Sequence, residues 1–243
     1  MQIQAQKREI AKQLQSKINA MQGLGKPVLG LEKSKLLPFN RAFPDQVFPI
    51  GAIHEFTSHA PTDAASTTAF IASLTGKILK DGGLCFWVGA DKKIFPSALK
   101  HFGLQPDRIV FINAKPKDAL WIIEEAMKCE ALSAVIGEVK ELNFTESRRL
   151  QLAVERSGVT GFIHRINPRG KNAIACTARW QIIPLPSVAD DDLPGIGYSC
   201  WDVQLLKAKN GRPAAWQVRW SNNSFEQITE KRHIIPLIER HAG

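Results

Sequence analysis

Between residues 51 and 166, short and nearly continuous apolar segments alternate with segments of helical periodicity, and this alternation constrains the fold most. Apolar runs of this kind are typical of strands buried on both faces, as in parallel sheets covered by helices. The pattern predicts an α/β fold with a mostly parallel sheet flanked by helices. The predicted strands lie at 52–57, 84–89, 108–113, 132–139 and 159–166, and the predicted helices at 63–80, 96–102, 117–130 and 145–157.

The pattern changes after Pro168, where helical periodicity stops. Further strands are predicted at 173–183, 201–209 and 214–220. Asn210-Gly211 is typical of a tight hairpin turn and falls between the last two of these. We therefore expect a C-terminal antiparallel β extension on the parallel sheet.

The two ends of the chain differ from this core in composition. Residues 1–21 carry apolar residues at helical spacing among lysines and arginines, and residues 22–50 contain Pro27, Pro38, Pro44 and Pro49. The predicted organisation is an N-terminal helical arm at 1–45, a core at 46–220, and a basic and apolar tail at 221–243.

Composition restricts the class of partner without choosing one. The 243 residues carry a formal net charge of +9, which favours acidic partners such as nucleic acid or acidic protein surfaces. No apolar run approaches the ~18 residues that span a bilayer, and we expect no membrane partner. The four cysteines form no C-x-x-C pair, so we expect no metal site, no disulfide framework and a cytoplasmic location.

A phosphate-binding loop would lie between the first strand and the first helix. Such a loop has the form G-x-x-x-x-G-K-[ST], in which the glycines let backbone N–H groups wrap the phosphates and the lysine neutralises charge. Here Ala60 and Ala65 occupy the glycine positions, Ser66 the lysine position and Thr67 the hydroxyl position. We therefore expect a plain strand–loop–helix turn in which Asp63 caps the helix, with no bound cofactor and no ATPase activity. A working nucleotide site is the alternative.

Other residue blocks carry a resemblance to a known family. They are GAIHEF at 51–56, STT at 66–68, LWIIEEAM at 120–127, AVIGEV at 134–139, SRRLQLAVERSGVTG at 147–161, TARW at 177–180, WDVQLLKAKNGRP at 201–213 and WQVRW at 216–220. On these blocks the chain resembles the ImuA family, whose members have a RecA-like core. SulA division inhibitors share such a core and are the nearest alternative.

The resemblance implies a role rather than a reaction. A member of this family is expected to be a non-catalytic accessory protein of SOS-induced, error-prone translesion synthesis. Its implied partners are an ImuB-like Y-family subunit, an error-prone DNA polymerase of the replicative class, and RecA, with nucleoid association when induced. Two alternatives remain open: a SulA-like inhibitor that binds FtsZ, and an ATPase with a noncanonical phosphate loop.

Several residues are candidate contacts to partners or to DNA, and each has a plainer alternative. Phe39 and Ala42 have the F-x-x-A form of recombinase linking arms, or simply pack on their own core. The remaining candidates are an arginine pair on a helix, cations at and after the end of the strand predicted at 159–166, and a C-terminal tryptophan: Arg148, Arg149, Arg165, Arg169, Lys171 and Trp220. Helix-surface arginines, a solvated basic loop and core packing are the alternatives. Any DNA binding is expected to be weak and nonspecific.

Overall fold

The computed structural model describes residues 36–79, 82–89, 94–170, 174–188 and 197–228, together with residues 10, 13 and 14. Within this part of the chain the strands are β1 (Ile53–Ser58), β2 (Leu84–Gly89), β3 (Ile109–Asn113), β4 (Leu132–Val139), β5 (Thr160–Ile166), β6 (Ala178–Val188), β7 (Tyr198–Ala208), β8 (Ala214–Ser221) and β9 (Ser224–Gln227). The α-helices are α1 (Pro61–Ile78), α2 (Pro116–Met127) and α3 (Phe144–Ser157). Short 3-10 helices lie at Phe39–Ala42, Pro44–Gln46, Pro96–Phe102 and Pro106–Arg108.

All nine strands form one sheet in the order β3-β2-β4-β5-β1-β6-β7-β8-β9. The pairs from β3 through to β6 are parallel, and the pairs from β6 to β9 are antiparallel. The carboxyl ends of β1, β2, β4 and β5 therefore meet at one edge, where α/β folds commonly place their sites.

The two faces of the sheet are covered by different elements. Phe56, Phe162 and Trp180 pack with Phe70 of α1 on one face. Their strand neighbours point to the other face, where residues of α2 and α3 pack against Ile53, Ile163 and Val135. Because successive side chains of a strand alternate, the near-continuous apolar strands supply both cores.

The predicted fold class is confirmed, including the antiparallel C-terminal strands. The predicted helix at 96–102 is a 3-10 helix, and α3 begins after Asn143 rather than at Thr145. The side chain of Asn143 accepts from the Glu146 N–H, while the Glu146 carboxylate accepts from the Asn143 N–H. Gly158 ends α3 at φ 78°, a conformation that favours glycine.

The folded core extends beyond both predicted boundaries. Leu36, Phe39 and Phe43 are buried in the core although they lie in the predicted arm. At the other end, β9 pairs with β8 through Asn222 and Asn223, both at positive φ, and Phe225 is buried. The boundaries at 45 and 220 are therefore wrong for the described residues, which place 36–45 and 221–227 in the core.

Candidate functional site

The segment between β1 and α1 is too short to form a phosphate-binding loop. β1 ends at Ser58 and α1 begins at Pro61, so only His59 and Ala60 connect them. The expected helix start near Asp63 is therefore wrong by two residues. Ala65, Ser66 and Thr67 are inside the helix, where their N–H groups cannot wrap a phosphate.

The side chain of Asp63 caps the first turn of α1. The backbone N–H of Ala60 donates to Asp63 Oδ2 at 3.3 Å. Its carboxylate also brings negative charge to the helix N-terminus, where a bound phosphate would gain from the helix dipole. The capping role proposed for Asp63 fits this geometry, and the position favours a helix cap over an anion site.

The one hydroxyl that matches a phosphate-loop position is used internally. Ser58 Oγ donates to Thr67 Oγ1 at 2.8 Å and lies 2.8 Å from Nε2 of His164 on β5. All three side chains are buried. Burial lowers the pKa of His164 from 6.5 to about 4, so the imidazole is neutral at physiological pH. This hydrogen-bonded chain turns Thr67 toward the sheet.

The acidic positions also lack the arrangement of a metal site. Glu138, near the end of β4, accepts a hydrogen bond of 2.9 Å from Trp87 Nε1 on β2. Asp91, two residues after the end of β2, lies outside the described residues. Within the described ranges, no three His, Cys, Asp or Glu side chains converge on a position that could hold a metal ion.

A groove of about 660 Å³ lies above this edge of the sheet. Its walls are α1 and the 3-10 helix at Pro96–Phe102, and small or apolar residues dominate the lining: Ala64, Ala65, Ala69, Phe95, Ala98 and Leu99. The described lining includes no lysine or arginine. Among the described lining residues a triphosphate would therefore meet mostly apolar surface and no lysine or arginine.

Arg165 was expected to contact phosphate, but its side chain is not accessible from solvent. Its side chain is buried, and its Nη1 donates to Glu55 Oε1 at 2.8 Å. Glu55 is itself fully buried and also pairs with Arg179 of β6. A buried carboxylate must be paired in this way, so Arg165 joins β5 to β1. Arg169 is exposed, and Lys171 lies outside the described residues.

Two other candidate contacts are part of the core. Phe39 is fully buried, with its ring centroid 4.9 Å from that of Phe225, and Ala42 is half-buried beside it in the same 3-10 helix. Trp220 is also buried, and its Nε1 donates to the carbonyl of His101 at 2.8 Å. The expected partner contacts at Phe39 and Trp220 are wrong because neither ring is accessible; the F-x-x-A segment packs on its own core.

Arg148 and Arg149 are exposed on α3, as a partner contact requires. Arg149 pairs with Glu124 of α2, and Arg148 lies 4.0 Å from Glu155. The sequence reasoning missed exposed apolar side chains around them, on α2 and α3: Trp121, Phe144 and Leu152. A signal existed for Trp121, since it falls outside the apolar stripe that contains Ile123 and Met127.

The fold and the closed edge together define a RecA-like protein in which β1 runs almost directly into α1. Solved structures agree with the fold: the RadB recombinase matches with a TM-score of 0.51 and 14% identity, covering 74% of this chain and 92% of its own. A KaiC-like protein from Pyrococcus horikoshii OT3 matches with a TM-score of 0.52 and 13% identity, covering 78% and 97%. Identities this low establish the fold alone.

A more specific relationship comes from sequence. Protein ImuA of Caulobacter vibrioides, from strains NA1000 / CB15N and ATCC 19089 / CIP 103742 / CB 15, is 30% identical over 187 residues. The match covers 72% of this chain and 77% of the relative. The chain therefore belongs to the ImuA family. No protein-family model matches it. Among the described helices, none combines the length and the apolar character needed to cross a membrane.

Proposed function

We propose that this protein is a non-catalytic accessory factor in SOS-induced, error-prone translesion DNA synthesis, and that it acts through protein–protein contacts. One observation carries the non-catalytic part: two residues, His59 and Ala60, connect β1 to α1. Without a loop there, backbone N–H groups cannot converge on phosphates, and the residues in register with the lysine and hydroxyl positions are helical. Nucleotide hydrolysis therefore has neither a binding loop nor a charge-neutralising lysine.

Membership of the ImuA family supports the choice of process and of partners. The proposed partners are an ImuB-like Y-family subunit, an error-prone polymerase of the replicative class, and RecA. The proposed location is the cytoplasm, with nucleoid association once the complex assembles. A net charge of +9 supports weak attraction to DNA. Because Arg165 is buried in its pair with Glu55, the segment at the end of β5 has few cations that could orient a DNA strand.

Pairwise binding and a cellular assay test the proposal together. The purified full chain should bind at least one of the three proposed partners, and deletion of its gene should lower damage-induced mutation frequency without lowering spontaneous mutation. A Thr67→Ala variant should behave as the unaltered protein in both assays apart from any loss of stability, because Thr67 forms only an internal hydrogen bond. Absence of all three interactions, together with normal induced mutagenesis in the deletion strain, would contradict the proposal.

A further inference from the structure

The outer face of α3 carries a stripe of exposed side chains that no element of the described chain covers. Phe144 is 60% exposed, the Arg148 side chain 51% and Leu152 41%. These residues are spaced four apart, so they lie one above the other on a single side of the helix. The opposite side of α3 is buried through Leu150 and Val154.

Trp121 extends this stripe onto the neighbouring helix. It is 63% exposed on α2, the most exposed tryptophan in the described chain. Trp121 precedes Glu124 by three residues, which places the two on one side of α2. Because Glu124 pairs with Arg149 of α3, the exposed sides of the two helices form one surface. We call Trp121, Phe144, Arg148, Arg149 and Leu152 the α2–α3 face.

The arginines of this face are more exposed than the carboxylates that they pair with, and Glu125, four residues after Trp121, is the exposed acid beside them. The Arg149 side chain is 57% exposed, whereas that of its partner Glu124 is 10% exposed. Arg148 is likewise half exposed, and Glu155 beneath it is 23% exposed. The carboxylates lie below the arginines and hold them in place, while the guanidinium groups remain accessible.

A groove between the two helices completes the surface. It has a volume of about 470 Å³, and Leu152 and Ala153 form its apolar part. Its cations, Lys128, Arg149 and Arg156, outnumber its carboxylates, Glu124 and Glu130. A groove that combines apolar residues with an excess of cations matches an amphipathic helix that has carboxylates beside its apolar stripe.

We propose that the α2–α3 face docks an acidic amphipathic helix of a partner protein, with Trp121 and Leu152 as apolar anchors and Arg148 and Arg149 as charge contacts. This inference rests on the proposed function, since it supplies the face through which the accessory factor joins its complex. Tryptophan and arginine dominate the energetics of protein interfaces because they bury large areas and form several hydrogen bonds. Exposed arginines paired in advance also lose less rotamer freedom on binding.

Two variants and two matched controls test the face with the full-length chain. Trp121→Ala removes an outward side chain and should weaken binding to a partner about tenfold or more. Arg148→Glu should lower the association rate about tenfold at low salt and less at high salt. Leu206→Ala, at an exposed position of β7, and Lys100→Glu, at an exposed position of the 3-10 helix at Pro96–Phe102, should leave affinity unchanged. Circular dichroism and urea unfolding should be unaltered in all four proteins.

The readouts separate this inference from the proposed function. If the unaltered chain binds a proposed partner and the two α2–α3 variants bind it equally well, the α2–α3 face is not the docking site, while the proposed function is unaffected. A partner-independent arm uses two synthetic helical peptides with leucines at i, i+4 and i+7, flanked by glutamates in one and lysines in the other. The glutamate peptide should bind with a Trp121 fluorescence change, and the lysine peptide should not. Equal binding of both peptides would overturn the proposal. So would a Trp121→Ala variant that loses more affinity for single-stranded DNA than for the glutamate peptide.

Discussion

Polar side chains at the carboxyl edge of the parallel sheet are buried and paired with one another, whereas those of the α2–α3 face are exposed to solvent. At the edge, Ser58 hydrogen-bonds to both Thr67 and His164, and the described lining of the groove above them has no lysine or arginine. On the α2–α3 face, Trp121 and Arg149 point outward. RecA-like chemistry would need open polar groups at the edge, so we infer that this protein keeps the fold as a scaffold and binds through its helices.

If the edge is closed by internal pairs, removing the most buried one should have the largest effect. Glu55→Gln removes the buried carboxylate that Arg165 and Arg179 share, and it should lower the free energy of unfolding by about 3–5 kcal/mol. The matched control is Glu226→Gln, since Glu226 pairs with Arg219 at 2.8 Å on a partly exposed part of the sheet. That change should cost less than about 1 kcal/mol by urea unfolding. Equal effects would mean that burial does not distinguish these pairs.

The 3-10 segment at residues 39–42 belongs to the scaffold and not to a docking arm. Phe39→Ala should therefore destabilise the fold by about 3–5 kcal/mol, because the ring is fully buried among Phe70, Trp216 and Phe225. Phe95→Ala, at an exposed ring, should change stability by less than about 0.5 kcal/mol.

Deletions sharpen the same point. A chain lacking residues 1–35 should still unfold cooperatively, whereas a chain lacking residues 1–45 should lose cooperative unfolding because Leu36, Phe39 and Phe43 go with it. If the 46–243 chain is stable and unfolds cooperatively, residues 36–45 are an arm and not part of the core.

Acid should destabilise the folded chain through two buried histidines, His164 at the closed edge and His54 near the start of β1. Burial lowers the pKa values of His164 and His54 from 6.5 to about 4. Below pH 6.5 the unfolded chain binds protons at these positions and the folded chain does not, so stability falls with falling pH until about pH 4. Between pH 6.5 and pH 5 each histidine should lower the free energy of unfolding by roughly 1–2 kcal/mol.

Urea unfolding at a series of pH values measures this slope. His164→Gln should remove one histidine's share, and His101→Gln, at an exposed side chain, is the control. His164 Nδ1 has no hydrogen-bond partner in the described part of the chain, so protonation would add a buried donor without an acceptor. A slope that is the same in His164→Gln as in the unaltered protein would show that His164 titrates normally.

The smallest expected effect concerns DNA. Arg169 is exposed after β5, and its backbone N–H already donates to Glu141 Oε1 at 2.8 Å. Arg169→Ala should lower affinity for single-stranded DNA by only about two- to threefold, the share of a single phosphate contact. Fluorescence anisotropy at two salt concentrations checks this. A loss of a hundredfold, or binding that salt does not weaken, would restore the loop as a specific DNA site.

Local patterns predicted the sheet well because burial on both faces leaves a visible apolar run. They also held two signals that were overlooked. Pro61 is typical of a first helical position and Asp63 of a first turn, which together indicate the early start of α1. Asn222 and Asn223 tolerate positive φ and form the hairpin that adds β9.

Contacts between distant residues could not be predicted in this way. Arg165 and Glu55 are 110 residues apart in sequence, so a cation near the end of a predicted strand gave no sign of its buried partner. For Trp220 and Phe39 the sequence left both a partner contact and core packing open, and only the fold, which places them beside α1 and β9, decides for the core. The α2–α3 face emerges only when the Arg149–Glu124 pair fixes how the two helices lie together.

Calorimetric titration of the full chain with ATP and Mg²⁺ tests the central claim most directly. Because two residues connect β1 to α1, no heat of binding is expected up to millimolar nucleotide at physiological salt. The same titration with Thr67→Ala should be indistinguishable. Micromolar ATP binding by the unaltered chain that disappears in Thr67→Ala would contradict the account, because it would require the start of α1 to open into a phosphate-binding loop.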